Sequence, residues 1–163
     1  MRLNPQFTAA AINLADLYRQ NNRDGEGVSV LRAALAASPR DAGLHHALGL
    51  VLTRLKQPDD ALAELQHAAE LEPERARYPY VYAVALHSAG RGSEAMTVLK
   101  ENRARHPGDR DTLQALVAFS RDAGDFAAAL EYAEQLARMM PGDINLDALI
   151  NNLRSQINKP DAK

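Results

Sequence analysis

The chain has 163 residues, with 19 Lys+Arg against 21 Asp+Glu and a formal net charge of −2. That balance argues against a surface built to neutralise phosphate, which needs a strong basic excess. Cysteine is absent, which excludes disulfides, thiolate zinc sites, iron–sulfur clusters, covalent haem and a cysteine nucleophile.

Apolar residues make up 46% of the chain and alanine occupies 30 positions, so closely packed helices in one domain are expected. No apolar run reaches the ~18 residues that a membrane span needs. Met1-Arg2-Leu3-Asn4-Pro5 lacks the apolar stretch of a secretory signal, so an exported product would take its signal from elsewhere. The compartment stays open: cytoplasmic or, within an exported parent, periplasmic.

Pro5, Pro39, Pro73, Pro107 and Pro141 stand 34 residues apart, four intervals in succession. A fixed period of this size marks a repeat architecture. Units counted from three residues after each proline repeat in phase. Their seventh position reads Leu14, Leu48, Tyr82 and Leu116, and their eighth Ala15, Gly49, Ala83 and Val117. Their twentieth reads Gly27, Ala61, Ala95 and Ala129. Each unit holds two segments of ~12–14 residues with the three-and-four apolar spacing of a helix.

In the first unit, 8–41, Gly25 and Gly27 fall in the second helix and cost ~1–2 kcal/mol relative to alanine. In the second, 42–75, Leu44, Ala47, Leu48, Val51, Leu52 and Leu55 form one stripe, and Ala61, Leu62, Leu65, Ala68, Ala69 and Leu71 the other. Two such helices cannot bury both stripes against each other, so units must stack. In the third, 76–109, Pro79 is tolerable in a first turn, and Gly90-Arg91-Gly92 turns between helices. In the fourth, 110–143, Ala133 and Leu136 exchange large and small positions. Asp41, Asp109 and Asp143 stand where helix N-caps belong. Finally, Leu146, Leu149, Ile150, Leu153 and Ile157 share a face of an amphipathic helix within 144–163, before a frayed polar tail from Lys159.

The period, the small residues at positions 8 and 20 and the proline at 32 resemble the tetratricopeptide repeat (TPR). The resemblance implies an all-α, right-handed α-solenoid of four helix–turn–helix units plus a C-terminal capping helix. Residues 1–7 then read as the tail of a preceding repeat, as in an excised fragment, the alternative being a natural N-terminus that caps the stack. Apolar surface exposed at that N-terminal end could join two copies. The family's position-4 tryptophan is missing; Ala11, His45, Pro79 and Leu113 stand there.

By the same resemblance, the first helices of successive units line a concave groove. The positions carried over are Ile12, Asn13 and Asp16; His46, Leu50 and Arg54; Arg77, Tyr80, Val84 and His87; and Gln114 and Arg121. Ile12, Leu50, Val81, Val84 and Tyr80 make an apolar centre, with Asp16, Arg19, Arg54, Arg77 and Arg121 at the edges. An apolar floor with a polar rim suits a peptide or an amphipathic helix. Leu50 and Val84 could equally be packing between neighbouring helices.

No histidine pair has the i, i+4 spacing of a one-helix metal site, and no serine lies in a nucleophile elbow. Catalysis, a cofactor, a metal and nucleic acid are therefore not expected. The expected function is a non-catalytic module that binds a protein or peptide in its groove. The alternative is a structural segment that orients a larger protein and has no dedicated peptide ligand. More weakly, residues 13–19, 45–50 and 80–91 resemble C-terminal TPR segments of larger bacterial proteins, some with multihaem c-type cytochrome domains upstream. This chain holds no Cys-x-x-Cys-His and would bind no haem itself. That resemblance implies a periplasmic parent.

Overall fold

A computed structural model describes residues 5–158 of the chain. The described residues form α1 (Pro5–Gln20), α2 (Asp24–Ala37), α3 (Ala42–Arg54), α4 (Pro58–Leu71), α5 (Arg77–Ser88), α6 (Gly92–Arg105), α7 (Arg110–Asp122), α8 (Phe126–Met139) and α9 (Ile144–Ile157). There is no strand among them. Residues 1–4 of the expected leading tail and the tail from Lys159 lie outside the described residues. Residues 5–7 run within α1 rather than ahead of it. Pro5 suits a helix start, because the first N–H of a helix has no intrahelical partner to lose.

Each helix packs on the next, and α1 also touches α3, as α5 touches α7. Between the first and second units and between the third and fourth, first helix thus lies beside first helix, as in a solenoid. The core follows the apolar stripes. Leu31, Leu44, Leu48 and Leu52 are buried between α1 and α4; Leu86, Leu99, Leu113, Leu116, Leu136 and Leu153 continue the core to α9. On α9 the inward face is Leu146, Ile150 and Leu153, with Leu149 partly buried and Ile157 exposed.

The small residues act at the helix crossings. A Cβ on Gly27 would lie 3.4 Å from the Ala15 carbonyl oxygen and 3.7 Å from the Ala15 Cβ, ordinary contact distances that leave room for the alanine the other units carry at this place. Gly25 has nothing near it and pays only the conformational cost of glycine in a helix.

One turn recurs in all four pairs. Asn22, Lys56, Gly90 and Gly124 each take a left-handed backbone, with φ of 56°, 56°, 78° and 76°. The following residue then donates its N–H five residues back: Arg23 to Tyr18, Gln57 to Leu52, Arg91 to Leu86 and Asp125 to Ser120. This is the Schellman close of a helix, where glycine or asparagine is favoured. Lys56 alone takes that conformation without their conformational ease.

Asp41, Asp109 and Asp143 cap α3, α7 and α9 by accepting from the Leu44, Thr112 and Leu146 amides at 3.0, 2.9 and 3.2 Å. Arg75 takes the matching place before α5, which starts without a side-chain cap. Pro79 is the third residue of α5, within its first turn.

Candidate binding cleft

The C-terminal half of α3, the start of α4 and the second half of α5 enclose a cleft of about 430 Å³. Leu50, Leu62, Leu65, Val81, Val84 and Ala85 form its apolar wall, while Thr53, Lys56 and Ser88 supply polar groups. Leu50 is 39% exposed, a large aliphatic side chain left open at the mouth. Helical spacing explains the wall. Val81, Val84, Ala85 and Ser88 recur at three and four residues along α5 and so face one way. On α4, Leu62 and Leu65 look into the cleft from the floor and are themselves buried.

Arg54 stands beside this mouth on α3. Its Nε and Nη2 donate to the Asp24 carboxylate at 3.1 and 3.3 Å, which ties α3 to α2. The guanidinium is thus directed toward α2 by its own partner.

The other groove residues expected from the sequence lie outside the lining of this cleft. Gln114 and Arg121 line a separate cleft of about 290 Å³ between α7 and α9, with Val117, Leu146 and Leu149. His87 stacks on Phe119, ring centroids 3.8 Å apart and planes 8° apart, and its Nε2 lies 3.5 Å from Asp122. Ile12 packs against the core between α1 and α4, while Asn13 is exposed. Asp16 accepts from Arg19 at 2.7 Å and Gln20 at 2.8 Å, and these bonds hold its carboxyl below the ordinary range. Tyr80 packs partly buried on the core of the second half.

His46 is buried rather than open. Its ring lies against Tyr78, with centroids 4.7 Å apart, and its Nδ1 has no hydrogen-bond partner. Burial first, then the Arg77 and Arg75 charges, lowers its imidazole to about 4. His46 is therefore neutral at physiological pH. Burial also pushes the Tyr78 phenol upward, against the Arg75 guanidinium that donates to its oxygen at 2.7 Å.

His45, the next residue back, turns about 100° away on the helix. It meets Glu64 and His67 of α4, one ligand atom from each lying within 4.8 Å of the others. A search for histidines paired along one helix misses this cluster, because its members come from two helices. The available signal is Glu64-x-x-His67, an i, i+3 pair on one helix face, opposite a histidine in the place of the family's tryptophan.

A family model described as "Tetratricopeptide repeat" matches residues 52–118. Protein FlbA of Caulobacter vibrioides is 32% identical over 117 residues, covering 72% of this chain and 19% of the relative. Cellulose synthase operon protein C of Pseudomonas fluorescens is 33% identical over 164 residues, covering 99% of this chain and 12% of the relative. The chain therefore spans a fifth or less of the length of these curated relatives. The crystal structure of the MamA protein overlays with a TM-score of 0.78 at 19% identity, over 94% of this chain and 84% of that one. The 34-residue period, the paired helices with small residues at their crossings and these likenesses agree: the chain is a tetratricopeptide-repeat protein.

Proposed function

We propose that the chain is a non-catalytic interaction module that binds a segment of a partner protein, a peptide or an amphipathic helix, in the cleft between α3, α4 and α5. The observation that carries this reading is Leu50, 39% exposed above a wall of Val81, Val84, Leu62 and Leu65. A partner that inserts apolar side chains there removes this surface from water, worth ~25 cal/mol per Å² of apolar area buried. At the edge Lys56 offers an ammonium to an acidic side chain, while Thr53 and Ser88, whose hydroxyls donate to the Gly49 and Val84 carbonyls, offer oxygens that accept from the partner's backbone. The separate cleft at Gln114 and Arg121 extends the contact if the partner is long.

The test compares capture from lysate by the wild type and by the Leu50→Glu/Val84→Glu variant, with helicity checked by circular dichroism. A protein held by the wild type and lost by an equally helical variant supports the reading. The same protein held equally by both overturns it.

A second reading is favoured by the shares of the relatives. In FlbA and cellulose synthase operon protein C the matching stretch is 19% and 12% of a longer protein. There it would be a structural segment that orients its neighbours, with no dedicated peptide ligand. That reading expects wild type and variant alike to capture nothing.

A further inference from the structure

His45 projects from α3 toward α4 with both ring nitrogens engaged. Nδ1 stands 2.5 Å from Glu64 Oε2, and Nε2 stands 3.0 Å from the Pro39 carbonyl oxygen. The His67 ring meets the His45 ring edge-on, with centroids 5.1 Å apart and planes at 66°. The side chains of His45 and Glu64 are 11% and 24% exposed, and His67 is open to solvent.

Both oxygens facing His45 are acceptors, the carboxylate when ionised. A neutral imidazole has a single N–H. Given to Pro39, it leaves the Nδ1 lone pair aimed at the Glu64 carboxylate. A positive centre between the two removes the conflict, and a proton or a metal cation can supply it. The bond from Nε2 to a backbone carbonyl is also the outer contact that typically fixes the tautomer of a metal-ligating histidine.

We propose that His45 Nδ1, Glu64 and His67 bind a divalent transition-metal cation of the zinc type, which clips α3 to α4. The donor set decides the class. Two imidazoles and a carboxylate suit zinc and its neighbours, whereas calcium and magnesium take oxygen donors. With metal–ligand bonds of ~2.0–2.2 Å, tetrahedral ligand atoms stand about 3.3–3.6 Å apart. The three atoms here lie within 4.8 Å of one another. To admit the ion, Glu64 Oε2 must draw back by about 1 Å from its 2.5 Å contact with His45 Nδ1 and His67 must close in, each by turning about its own side-chain bonds. Gly49, one turn beyond His45, holds α3 against Leu65, the residue after Glu64. A water fills the fourth position.

The test uses the full chain without an affinity tag and Co²⁺ as the probe. The expected result is a visible ligand-field band that saturates at one equivalent and is displaced by Zn²⁺. Affinity should fall at least tenfold in His67→Ala and in Glu64→Gln and stay unchanged in His106→Gln, whose histidine lies elsewhere. Zn²⁺ should also raise the unfolding midpoint of the wild type and not that of His67→Ala. His67 is exposed, so its removal leaves the fold to report, and circular dichroism checks this. No saturable band from the folded wild type, or binding undiminished in His67→Ala, overturns the proposal.

Discussion

Gly49 of α3 lies so close to Leu65 of α4 that a Cβ at position 49 would stand 2.6 Å from the leucine Cγ and 3.2 Å from the Ala61 carbonyl oxygen. Alanine is ordinarily the better helix residue by ~1 kcal/mol. Here the order reverses, because Leu65 is fully packed and cannot retreat without strain. Gly49→Ala should destabilise the chain by ~1–3 kcal/mol. Gly25→Ala, in open space, should stabilise it by ~0.5–1 kcal/mol. Urea unfolding of the two variants checks both signs.

Stability should fall on acidification through His46. Its ordinary value is 6.5 and its folded value about 4. The unfolded chain therefore binds the proton first as pH falls through that interval. The contribution is present above about pH 6.5, declines below it and is lost by about pH 4. Between pH 7 and pH 5 it amounts to roughly 2 kcal/mol. Burial and the Arg77 and Arg75 charges oppose the imidazolium. His46→Phe should flatten this limb of the stability profile. Denaturant titrations with a chelator present, at pH 7 and pH 5, measure it.

Asn102 carries a buried polar chain between units. It is fully buried, and its Nδ2 donates to the Ala76 carbonyl at 2.9 Å and to Thr112 Oγ1 at 2.7 Å. Thr112 Oγ1 in turn donates to the Asp109 cap. Truncation removes one of the two bonds to the Ala76 oxygen, which keeps that from the Tyr80 N–H at 3.2 Å, and opens a gap beneath α5, where no side-chain cap exists. Asn102→Ala should cost about 1–3 kcal/mol, read as a lower midpoint with an unchanged urea slope.

The first helix presents Phe7, Leu14 and Leu17, which are 49%, 40% and 54% exposed. We expect copies of the chain to associate through this strip. Sedimentation coefficients should rise with concentration for the wild type and not for Leu14→Glu/Leu17→Glu. A wild type that stays monomeric at the highest concentration contradicts this.

The stack itself is readable from the chain. Five prolines in register give the period, and the apolar stripes of the second unit become the inward faces of α3 and α4, except Leu55, which is exposed beyond the end of α3. Asp41, Asp109 and Asp143 cap the helices that follow them. The site is less legible. Repeat position places His46 in a groove, but its ring turns in against Tyr78. Nor does repeat position report which groove residues line a hollow: Leu50, His87 and Arg121 each line a different one. The His45, Glu64 and His67 cluster depends on the separation of two helices, which Gly49 sets and no spacing along one helix reports.

A partner seated in the cleft at Leu50 should slow hydrogen exchange there. Mass spectrometry of the chain alone and with its captured partner should show added protection at residues 50–56 and 80–88. Protection confined to α6, α8 and α9, with exchange at 50–56 and 80–88 unchanged, means that the partner binds another face.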